Sequence, residues 1–118
     1  MHAEVFYDQI QPVGDTPIKI LARIEVVKTE DGGRTGAFTQ KYRPNHNFGS
    51  AENREFFIGQ VEIPEGVWIS PGETHDLVIT FLNVQGLAKN LKIGRHWRIQ
   101  EGSKLVANAE VLSVINAT

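Results

Sequence analysis

A chain of 118 residues, 41% hydrophobic and 22% charged, has the size and composition of a single soluble domain with one core. Twelve basic residues against fourteen acidic ones leave a net charge of −2, which excludes a protein that grips nucleic acid through a positive field over its whole surface. The absence of cysteine excludes a disulfide framework and thiolate metal sites, so a cytoplasmic location is expected.

Residues 1–17 lack periodicity and end in Pro12, Gly14, Asp15 and Pro17, the pattern of an arm leading into a domain that spans residues 18–118. This opening run has no basic flank or apolar segment of signal-peptide type. No window of the chain approaches 18 consecutive apolar residues, so neither secretion nor membrane insertion is expected.

From Ile18 the pattern becomes that of a strand. Ile18, Ile20, Ala22, Ile24 and Val26 alternate with Lys19, Arg23 and Glu25 up to the loop Thr29-Glu30-Asp31-Gly32-Gly33. A second strand is expected from Phe56 to Ile63, closed by Pro64-Glu65-Gly66. Val67-Trp68-Ile69 follows, ending at the turn Ser70-Pro71-Gly72-Glu73. Leu77, Ile79 and Phe81 alternate with Asp76, Val78 and Thr80. Leu91, Ile93, Trp97 and Ile99 alternate with Lys92, His96 and Arg98. Leu105, Ala107, Ala109, Val111 and Ile115 give the last strand one apolar face. No helical stripe interrupts these strands, and their short Gly/Pro connections point to a barrel or sandwich, with a barrel of about six strands preferred.

Four short motifs add a family resemblance. Glu30-Asp31-Gly32-Gly33-Arg34 followed by Tyr42-Arg43-Pro44, then Ile63-Pro64-Glu65-Gly66-Val67, Pro71-Gly72, and Trp97-Arg98-Ile99-Gln100-Glu101-Gly102 resemble, in order, segments of the C-terminal domain (domain III) of elongation factor Tu. The resemblance covers about residues 18–114 and implies an all-β fold, a six-stranded antiparallel β-barrel, standing without its GTPase. The chain has no Gly-x-x-x-x-Gly-Lys-Ser/Thr phosphate loop, so no nucleotide is expected to bind.

The resemblance also implies a binding function. Its RNA-facing positions correspond to Arg34, Asn45, Glu101 and Gly102. A family His is Thr35 here, a family Arg is Gln100, and a family Lys or His corresponds to Asn83, each change removing positive charge from that surface. Arg34 is alternatively expected to cap its loop or pair with Glu30 or Asp31. Tyr42 and Arg43 have the composition of an interaction patch, or of a ring over the barrel end beside an Arg paired with a neighbouring acid. Lys89, Lys92, Arg95 and His96 form the best basic patch, with Lys92 and His96 expected to share a strand face with Arg98. Trp68 and Trp97 are expected in the core or at a barrel end.

His2, His46, His75 and His96 have no ligand-like spacing, and no Ser-His-Asp order or isolated carboxylate pair stands out. No metal, no cofactor and no catalytic residue is therefore expected. The leading expectation is a non-catalytic module that docks a protein partner, either a translation factor or a factor that targets elongation factor Tu. The alternative is a tRNA-binding module.

Overall fold

The computed structural model describes residues 14–116. Residues 1–13 of the expected arm lie outside the described residues, and Gly14 to Pro17 are exposed. Six strands follow: β1 (Ile18–Val26), β2 (Asn45–Asn47), β3 (Phe57–Val61), β4 (Thr74–Phe81), β5 (His96–Glu101) and β6 (Lys104–Asn116). They close into an antiparallel barrel in the order β1-β4-β3-β2-β5-β6. Closure leaves no free sheet edge at the end of the order.

The alternation in β1 places Ile18, Ile20, Ala22, Ile24 and Val26 inside, where all are buried. Flanked by β4 and β6, β1 is the spine of the barrel. Its pairing with β4 runs unbroken from Ile18 opposite Phe81 to Glu25 opposite Thr74. Ile79, Phe81, Ile99, Ala109 and Val111 complete the core facing it. Each fully buried large aliphatic side chain contributes about 1.5–3 kcal/mol.

Several strand expectations need correction. The expected strand Phe56–Ile63 is shorter, and the stretch Leu91–Arg95 is not a strand. Leu91 plugs the core after a 3-10 turn at Ala88–Asn90, while Lys92 and Ile93 project from a turn that Gly94 closes at φ 89°. Arg95 N–H donates to Lys92 O across this turn at 2.9 Å. Alternation over 91–99 misleads because the loop residue Leu91 and the strand residues Trp97 and Ile99 are all buried, but for different reasons. Lys92 therefore shares no strand face with His96 and Arg98.

The single apolar face expected for residues 105–115 is also broken. Opposite β5, Ile99 pairs with Ala107 and Gln100 with Leu105, leaving Val106 as an extra residue. Opposite β1, Leu112 and Ile115 are skipped in the same way. Each bulge reverses the alternation, so Val106 is buried, Val114 packs against the core and Ile115 is exposed.

Candidate functional site

Seven of the ten expected contact residues fall into two groups separated by the length of β5, about 20 Å for six extended residues. Arg34, Tyr42, Glu101 and Gly102 lie at its far end, and Lys89, Lys92 and Arg95 precede its start.

At the first end, the loop after β1 sets Arg34. Asp31 N–H and Gly33 N–H both donate to Lys28 O at 3.0 Å, and Gly32 takes φ 97°. A side chain at Gly33 would strike Val27 O at 2.4 Å, so the paired glycines are needed for this tight return. Arg34 then extends over the stacked rings of Phe38 and Tyr42, whose centroids are 4.1 Å apart. Its guanidinium carbon lies 5.5 and 5.4 Å from the two ring centres. Its Nε approaches Glu101 Oε2 at 3.2 Å, and the Tyr42 hydroxyl donates to the same oxygen. Arg34 thus pairs with Glu101 rather than with Glu30 or Asp31, because the loop turns its side chain away from the residues that precede it and toward the β5–β6 turn. Burial, reinforced by the bond to the Glu101 carboxylate, raises the Tyr42 phenol above its ordinary range and keeps it a donor.

Asn45 and Arg98 border a second network. Asn45 lies opposite Gln100. Arg98 Nε and Asn47 Nδ2 both donate to Gln100 Oε1 at 2.8 Å, while Gln100 Nε2 donates to Gly102 O at 2.8 Å. Asn47 Oδ1 accepts from Gly49 N–H and from Asn53 Nδ2. Gln100 stands where the resemblance has a positively charged Arg, and here its amide is a buried connector.

Arg95 is similarly engaged. Its Nη2 donates to Phe48 O at 2.7 Å and its Nη1 to Asn90 Oδ1 at 3.0 Å, with the guanidinium over the Phe48 ring. It ties two loops together. Lys89 and Lys92 are exposed beside it, and Arg43 is exposed on a groove with Gln60 and Glu62.

Two features escape the sequence. The first is the buried pair His46 and Trp97: Trp97 Nε1 donates to His46 Nδ1 at 3.0 Å, and His46 Nε2 lies 3.0 Å from Gly59 O. The Trp bond makes Nδ1 an acceptor, so Nε2 carries the proton and donates to Gly59 O. Burial lowers the His46 pKa to about 4, so the ring is neutral near pH 7. Only the absence of a side chain at Gly59 leaves room, since a Cβ there would meet Phe81 at 2.7 Å and His46 Nε2 at 3.0 Å.

The second feature is Trp68. It is 61% exposed and so lies outside the core, whereas Trp97 is buried. The segment Val67–Ile69 is held by backbone: Phe38 and Ile69 exchange N–H···O bonds at 2.9 and 2.8 Å, and the Thr39 hydroxyl donates to Val67 O. Ile69 points inward, so its neighbour Trp68 points out. Exposed Glu65 precedes it, and exposed Glu73 follows, accepting from Ser70 N–H.

Among the described residues, no group of three His, Asp or Glu side chains is placed to hold a metal ion. Among them, too, no helix is long and apolar enough to cross a membrane. Compared with known protein families, the sequence matches no family model.

Proposed function

We propose that this chain is a non-catalytic docking module, of the elongation factor Tu domain III type, that holds a protein partner through the face carrying Trp68. The partner belongs to the translation machinery or is a factor that targets elongation factor Tu, and the meeting place is the cytosol. The exposed Trp68 carries this reading. A large aromatic ring held on a backbone-braced segment brings contact area at little entropic cost, and Trp, Tyr and Arg dominate the energetics of protein interfaces. Through Ile69 and Phe38, the segment is joined to the Arg34–Tyr42–Glu101 cluster.

A protein fits this face better than tRNA does. Glu65 and Glu73 flank the Trp, and Arg34 is already paired with Glu101, so phosphate would meet two carboxylates beside the ring. The test compares Trp68→Ala with Ile93→Ala, another exposed apolar residue but beyond the other end of β5. Co-purification from cells should recover a partner with the parent chain and Ile93→Ala, and lose it with Trp68→Ala. Equal recovery by both variants would overturn the assignment. So would saturable tRNA binding in a filter assay with a steep salt slope.

A further inference from the structure

The backbone at Trp68 leaves one side of its segment open. Phe38 and Ile69 form a hydrogen-bonded antiparallel pair, so both main-chain groups of Ile69 point toward Phe38, and Val67 O, on the same side, accepts from the Thr39 hydroxyl. In an extended chain the residue between two such positions points its own groups the opposite way. Trp68 N–H and C=O accordingly turn away from Phe38, and neither has a partner among the described residues. Ser70 follows on the open side but is engaged, its N–H donating to Glu73 Oε1 at 3.0 Å and its O accepting from Glu73 N–H at 3.2 Å. The open edge is therefore one residue long, with a carboxylate beside it.

An unpaired edge below an exposed ring suits an extended peptide, because main-chain bonds supply affinity and the flanking side chains supply selectivity. Across an antiparallel pair, the residue opposite Trp68 would lie about 5 Å away on the same outer face. Two positions along, the incoming strand would pass Ser70 and the Glu73 carboxylate. The Ser70 N–H bond, followed by His75, holds the Glu73 carboxyl below its ordinary range and keeps it charged at neutral pH. Exposed Glu65 adds a second negative charge. The Lys28 stem passes Gly72, where a Cβ would meet it at 3.4 Å, so one ammonium accompanies two carboxylates and the balance stays negative. A cationic side chain on the incoming strand gains from these carboxylates and from the indole face. A second copy fits poorly, since pairing Trp68 with its counterpart would gather Glu65 and Glu73 of both copies along one seam.

We propose that the Trp68 edge takes up an extended, basic segment of the protein partner by strand addition. The segment exchanges N–H···O bonds with the Trp68 main chain and sets a Lys or Arg between the indole and Glu73. The proposal rests on the docking face described above and names what that face recognises.

The test uses the full chain, isotope-labelled, with the blocked peptide acetyl-Arg-Thr-Arg-Thr-Arg-amide as probe. The Trp68 amide proton should move downfield and exchange more slowly, with the shifts centred on residues 65–73. N-methylating the Arg main-chain nitrogens of the peptide should weaken binding about tenfold, the effect of one lost hydrogen bond, and replacing each Arg by Glu should abolish it. Equal binding by the methylated or the acidic peptide overturns the proposal, as do shifts centred elsewhere. If Trp68→Ala loses its co-purified partner while the basic peptide leaves the Trp68 amide unmoved, strand addition is overturned and the docking face stands. If Trp68→Ala keeps its partner, both fall.

Discussion

The two walls of this barrel are held together by different physics. Where β1 meets β4 and β6, long ladders carry a continuous face of Ile, Val and Ala. Where β2 meets β3, only Asn45 opposite Ile58 and His46 opposite Phe57 are paired. Side chains anchor β2 there instead: His46 Nε2 donates to Gly59 O in β3, the His46–Trp97 bond and the Asn47–Gln100–Arg98 network tie it to β5, and Arg95 bridges to Phe48 O. Apolar area is non-directional and tolerates small shifts, whereas buried hydrogen bonds demand every partner. The short wall is therefore the more specific and the more fragile under changes of charge.

The largest effect is expected in the long wall. Ile24→Asp should unfold the domain, because Ile24 is buried and an unpaired carboxylate there would consume much of a stability of about 5–15 kcal/mol. Circular dichroism should show no cooperative melt. A native-like melting curve would mean that β1 faces the other way.

Acid should act on the short wall. His46 has its folded-state pKa depressed to about 4 against about 6.5 when unfolded. Its contribution is complete above pH 6.5 and is lost as pH falls toward 4, because the unfolded chain takes up the proton first. The loss reaches about 3 kcal/mol near pH 4. Denaturant unfolding across that range should show the slope in the parent chain and a flatter one in His46→Gln.

Smaller still is the effect expected at Gly59. Gly59→Ala places a methyl against the Phe81 ring and His46, and should cost about 1–3 kcal/mol by overpacking. A matched Gly36→Ala, where a Cβ would meet nothing within 4 Å, should change stability by less than about 0.5 kcal/mol. The pair measures how tightly the short wall is packed.

At the bottom of the scale, Trp68→Ala should leave the thermal midpoint nearly unchanged, within about 0.5 kcal/mol, since the ring is largely in solvent. A clear drop would make Trp68 a structural cover and remove the basis for the docking face.

The residues themselves determined much of this molecule. The period of two in Ile18–Val26 and in Leu77–Phe81, with the Gly and Pro turns between strands, suffices for an antiparallel all-β chain with β1 facing inward along its whole length. Those signals are local, because each residue's face follows from its neighbours one and two positions away. The tertiary structure alone decided the rest. Arg34 reaches Glu101, 67 positions along the chain, and Trp97 finds His46 across 51. Both unions depend on which strands the barrel places side by side. His46 and Asn47 are adjacent yet both buried, His46 among Phe81 and Trp97 and Asn47 beneath residues 50–53, a combination that alternation cannot encode. Trp68 is apolar in sequence and exposed in space because Ile69 takes the inward place when it pairs with Phe38, and a strand segment has only one inward side.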